Sequence, residues 1–154
     1  MADNYTTNAG SGGNTFASDD IGSTHYARIK VNGGRDGVAS DVATGFRLVS
    51  AASTNATSLK ASAGTIYSLT AFNLNAAVRY LKLYNKASSP TVGTDTPVAT
   101  FAIPASTTGA GFTISFPFGF DFETGIAYAT TTGAADSDTG AVAANEIFIV
   151  GTYI

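Results

Sequence analysis

Between Gly111 and Gly125 the chain reads GFTISFPFGFDFETG. There Phe112, Ile114, Phe116, Phe118, Phe120 and Phe122 take every second position. A period of two places all six on one face of an extended chain, whereas a helix would scatter them around its axis. Pro117 and Gly119 would also break a helix. The stretch therefore reads as strand, and its apolar face as buried. Each ring withdrawn from water contributes roughly 2–3 kcal/mol. Five of the chain's ten Phe lie here, so the core is expected to be anchored on this stripe. Strands usually run about 5–6 residues. Pro117 cannot donate to a ladder and Gly119 permits a bend. The expectation is two short strands, or one strand that turns a corner between sheets.

Composition narrows the choice further. The 154 residues suffice for one domain with a real core. Charged residues make up 12%, against about 25% in an average soluble protein. Gly, Ala, Ser and Thr take their place, which suits short strands, tight turns and a smooth surface for packing against other proteins. A net charge of −3 and the lack of any Lys/Arg cluster argue against nucleic acid. With no Cys, neither a disulfide framework nor a thiolate metal site is possible. The opening MADNYTTNAGSGG has no basic region leading into an apolar run, so no signal peptide is expected. No stretch approaches the roughly 20 apolar residues that span a bilayer. The expected product is made in a cytoplasm and has no membrane partner.

Read in order, residues 1–23 are polar, Gly-rich and aperiodic. Tyr5, Phe16 and Ile21 are the only anchors there. Such a segment cannot fold alone. It is either a loose tail or an arm that orders against a neighbouring subunit. Residues 24–154 are expected to form one domain. Its strands are read at HYARIKV (25–31, with Ala27, Ile29 and Val31 inward), less clearly at GFRLVS (45–50), and at TSLKA (57–61). Further strands follow at TIYSLTAFN (65–73), VRYLKLYN (78–85), VATFAI (98–103), the Phe stripe, GIAYATTT (125–132) and NEIFIVGTYI (145–154). In 65–73, Tyr67, Leu69 and Ala71 mark one face and Ile66 and Phe72 the other. In 78–85, Leu81 and Leu83 face the core while Tyr80, Lys82 and Tyr84 line a half-wet surface. Ile147 to Val150 is continuously apolar, as in a central strand covered on both faces. Eight or nine short strands and no helix predict an all-β, two-sheet β-sandwich, jelly-roll-like, with an extended N-terminal arm.

Candidate chemistry is sparse. His25 is the only His, so no Ser/Cys–His nucleophile system is expected. Asp136-Ser137-Asp138-Thr139-Gly140 has the outline of a calcium loop. Such a loop needs more oxygen ligands, and Glu146 falls in a strand. The plainer reading is a turn whose carboxylates accept backbone N–H bonds. Asp121 and Glu123 share the side of their strand away from the Phe stripe. Residues two apart meet a glycosidase separation trivially, so they read as charges on a solvated face. Tyr80, Tyr84, Tyr128 and Tyr153 could line a sugar platform, but the chain has no Trp. They read rather as strand aromatics. No cofactor is expected.

The segment ASAGTIYSLTAFNLNAAVRYLKLYNKASSPTVGTDTPVATFAIPA (61–105) resembles one that recurs in small structural proteins of tailed bacteriophages. GIAYATTTGAADSDTGAVAANEI (125–147) resembles their C-terminal part, and SGGNTFASDDIGSTHYARIKVNGGRDG (11–37) their N-terminal part. RYLKLYNKA with TVGTDTPV is the most specific piece. The resemblance implies a particle component and carries no catalytic residues. A small, rigid, β-rich, charge-poor body with an ordering arm fits a capsid cement, or decoration, protein. Such a protein binds the major capsid protein on the outer head surface, and each weak grip is multiplied over many lattice points. The expected form is a non-catalytic homotrimer in the virion, with the arm (Tyr5, Phe16, Ile21) on the capsid or a sister subunit. The alternatives are a tail, baseplate or fibre-associated protein, or a carbohydrate-binding module aiding adsorption.

Overall fold

The structure, a computed structural model, describes residues 4–6, 15–21, 24–27 and 43–154. The chain divides into two units, Met1–Asp41 and Val42–Ile154. In the first, β1 (Asn4–Thr6), β2 (Thr15–Ile21) and β3 (Thr24–Ala27) form an antiparallel sheet in the order β1-β2-β3. Tyr5 pairs with Phe16, and Asp20 with His25, through their backbones. The segment read as an arm thus carries two strands. The strand read at 25–31 pairs, over Thr24–Ala27, with β2 inside the first unit. The side chains of Tyr5, Phe16, Ile21 and His25 lie outside the described residues, as do Ile29 and Val31.

The second unit is a β-sandwich with no helix among its described residues. Its strands are β4 (Thr44–Val49), β5 (Thr57–Lys60), β6 (Gly64–Asn73), β7 (Arg79–Asn85), β8 (Ala99–Ile103), β9 (Ala110–Phe122), β10 (Ile126–Thr131) and β11 (Ile147–Tyr153). Two antiparallel four-stranded sheets result, ordered β5-β10-β7-β8 and β4-β11-β6-β9. Every connection from β4 to β11 changes sheet except β7 to β8. Each strand's apolar alternation therefore has to meet the opposite sheet.

Between the sheets lie Ile66, Leu69 and Ala71 of β6, Leu81 and Leu83 of β7, Ile126 and Tyr128 of β10, and Ile147 and Ile149 of β11. Phe46 of β4 stacks on Tyr128 of the facing sheet at 6.0 Å between ring centres, and Phe101 meets Phe112 at 5.8 Å. Gly151 makes room for Phe46. A Cβ there would stand 2.5 Å from the ring and 2.5 Å from the Ser68 carbonyl.

The Phe stripe forms one assigned strand of 13 residues, not two. Five of its six large side chains pack on the core: Phe122 is fully buried, and Phe112, Ile114, Phe116 and Phe120 are partly so. Phe118 does not, being 100% exposed. The cause lies in the pairing with β6, where Ile66 faces Phe120 but Ser68 faces Ser115. Tyr67 alone thus spans the four residues Phe116 to Gly119, which must bulge outward. Gly119 absorbs the reversal at φ +81°, a conformation that side chains with a Cβ rarely adopt. The same irregularity returns Ile66 to the core beside Leu69 and Ala71, not to the opposite face with Phe72.

Candidate binding surface

The two outer faces of the sandwich differ. On the β5-β10-β7-β8 sheet, Lys82 and Tyr84 point away from the core yet are only 0% and 1% exposed. They are not the half-wet surface the alternation suggested, because two loops roof them. Residues 86–97 bring Val92 over Tyr84, Ala127 and Ala129. Residues 133–142 meet them at Gly93, where a Cβ would touch Thr139 at 2.6 Å. The Lys82 ammonium donates to the Ala135 carbonyl (2.5 Å) and to that of Asp138 (3.4 Å). Tyr84 Oη has no hydrogen-bond partner among the described residues. Burial, reinforced by the charges of Asp136 and Asp95, pushes this phenol above its usual pKa.

This arrangement answers the Asp136–Gly140 motif. Asp138 Oδ1 accepts the N–H groups of Gly133 and Gly140, each at 3.0 Å. Those contacts make the plainer turn. The loop's carbonyls already hold a cation, the Lys82 ammonium. Glu146, expected within a strand, lies just before β11. It accepts from Arg79 Nε and Asn75 Nδ2, both at 2.6 Å. Burial alone raises its carboxyl. Donation from Arg79, the Ala143 backbone and Asn75 nevertheless brings it below the ordinary carboxylate range. The residue is an internal brace. Among the described residues, no three His, Cys, Asp or Glu side chains are grouped to hold a metal.

The tyrosines do not converge. Tyr84 lies under the roof, whereas Tyr128 and Tyr153 belong to the core, where Tyr153 meets Phe46 edge-on at 6.1 Å. Asp121 and Glu123 are both exposed, and Asp121 accepts a hydrogen bond from the Thr65 hydroxyl.

The β4-β11-β6-β9 sheet has an open outer face. Backbone register sets Val49, Phe148, Phe72 and Gly111 in one row, and Arg47, Val150, Thr70 and Thr113 in the next. Phe72 and Phe148 stack at 4.8 Å with planes 5° apart. Phe72 is 37% and Val150 46% exposed. β11 is central, as its apolar run implied, but only its inner face is covered. Thr70 and Thr113 bond each other at 3.0 Å, as do Ser68 and Thr152 at 2.8 Å, so their hydroxyls are partly satisfied within the sheet. The sequence reading missed this face, although Phe72 and Phe148 each fall opposite the core-facing residues of their own strand.

Among the described residues, exposed large apolar side chains lie on this sheet face (Phe72, Val150), at Phe118, and at Leu74, Val78 and Val98. No protein-family model, curated protein or solved structure matches the chain.

Proposed function

We propose that this chain is a non-catalytic structural component of a tailed-bacteriophage particle, of the capsid cement type. It would bind the major capsid protein on the outer surface of the head as a homotrimer. The resemblance of residues 61–105, 125–147 and 11–37 to phage structural proteins motivates the reading. The observation that carries it in physical terms is the open outer face of the β4-β11-β6-β9 sheet. An apolar face rimmed by small polar residues marks a protein contact. The strand order supports the jelly-roll form of the sandwich. Counted one to eight from β4, the sheets run 2-7-4-5 and 1-8-3-6, the interleaving produced by rolling up a double Greek key. Charge-poor surfaces suit attachment at many equivalent points, where repetition compensates for modest affinity at each.

The test mixes the full chain with empty heads of the phage that encodes it and images the particles by electron microscopy. Density at regular lattice positions is the expected result. Density confined to the tail would move the protein to the tail or baseplate, and no bound density would overturn attachment to the particle. Removing residues 1–23 is expected to abolish head binding while the sandwich persists by circular dichroism. Undiminished binding would overturn the role given to Tyr5, Phe16 and Ile21.

A further inference from the structure

We propose that Phe118 is a self-assembly anchor that seats on the outer face of the β4-β11-β6-β9 sheet of a second copy, against Phe72, Phe148 and Val150. Phe118 is wholly exposed, and its base is braced. Phe116 and Phe120 pack together beneath the bulge at 5.5 Å. Gly119 sits against Thr65, and Thr65 bonds Asp121. A rigidly presented aromatic loses little freedom on docking, which is how an interface hot spot works.

Charge selects the occupant. The bulge is followed closely by Asp121 and Glu123, both exposed. In the two rows that hold Phe72, Phe148 and Val150, the sole charged residue is Arg47, also exposed. Knob and receptor thus carry opposite charge, and both belong to this chain. An aromatic flanked by two carboxylates is poorly suited to an anionic bilayer.

Area calls for more than one contact per protomer. Four strands about 4.8 Å apart and six residues long at about 3.4 Å per residue present roughly 400 Å² of face. A Phe side chain adds about 200 Å² from the other partner. A single ring covers only a comparable part of that face, so one contact totals roughly 400 Å², short of the about 1,200 Å² at the lower end for stable pairs. Knob and receptor are different surfaces of one chain, so the contact closes either reciprocally in a pair or around a ring. In either closed form each protomer is held by two contacts, roughly 800 Å² together, the size of a weak, concentration-dependent association. This inference gives the sheet face invoked above to a second copy of the chain and does not depend on attachment to a head.

Sedimentation velocity of the full chain over a range of concentrations tests it, with circular dichroism confirming that each variant is folded. The wild type is expected to assemble. Phe118→Ser should weaken each contact by about 30-fold or more, the loss of one buried ring. Arg47→Glu should also weaken assembly, and Arg47→Glu combined with Glu123→Arg should restore it. A wild type that stays monomeric, or a Phe118→Ser variant that assembles as tightly, overturns the proposal. So does Phe118-dependent binding to phosphatidylcholine–phosphatidylglycerol vesicles by a monomeric chain. Head binding by a monomeric wild type would overturn this contact while supporting attachment. Assembly dissolved by Phe118→Ser, without head binding by the wild type, would support this contact and overturn attachment.

Discussion

Replacing Arg79 with Met tests the brace at Glu146. Met keeps much of the aliphatic stem and removes the guanidinium. Glu146, 6% exposed, would keep Asn75 and the Ala143 backbone as donors but lose its only ion-pair partner among the described residues. Breaking a fully buried pair costs about 3–5 kcal/mol. Two donors remain and Arg79 reaches the surface, so we expect about 2–3 kcal/mol. For a unit of this size that corresponds to a Tm lower by roughly 8–15 °C. Thermal and urea unfolding followed by circular dichroism measure it. The pH dependence supplies the sign. Folding lowers the Glu146 pKa, so its stabilisation is present above the unfolded carboxylate pKa and lost as pH falls through the lower folded value. Without Arg79, only the Ala143 backbone and Asn75 oppose burial, so that lowering is reduced. The gap between wild type and Arg79→Met should therefore narrow from neutral pH to about pH 3. A loss below about 0.5 kcal/mol, or a gap of constant size across that range, would refute the reasoning.

Other outcomes follow from the same contacts. Phe122→Ala should cost about 3–5 kcal/mol, whereas Phe118→Ala, measured on dissociated protein, should stay within about 0.5 kcal/mol. Equal losses in urea unfolding would mean that the stripe is buried uniformly. Gly119→Ala should cost at least about 1–2 kcal/mol from its left-handed backbone alone, with a Cβ 2.2 Å from the Thr65 methyl adding to it. A neutral result in the same assay would contradict the bulge. Calcium should leave Tm unchanged, because Lys82 and two backbone N–H groups already occupy the Asp136–Gly140 loop. A calcium-dependent rise in differential scanning calorimetry would show that the ammonium can be displaced.

The strands of the sandwich were legible wherever one face had to be apolar and the other not. Phe46 and Leu48, Leu81 and Leu83, and Ile126 and Tyr128 all pack on the core as their spacing implied. Phe118 defeated the same logic. Its direction is set by a mismatch with Tyr67 on another strand, and alternation within β9 carries no record of that partner. Lys82 and Tyr84 were misjudged for a related reason. Their cover comes from two loops of small residues that carry no signal of packing. Arg79 and Glu146 are 67 positions apart and are joined only by the fold. In β1 and β2, apolar residues are too few for a period to emerge, whereas β3 falls within the alternation read at 25–31.

β9 closes one end of its sheet, leaving thirteen residues with a row of backbone groups on the side away from β6. An uninterrupted run of that length would be a template on which further strands could zip without limit. The kink from Phe116 to Gly119, with a proline inside it, cuts the row into two short stretches. The chain is thereby protected against pairing edge to edge with its own kind.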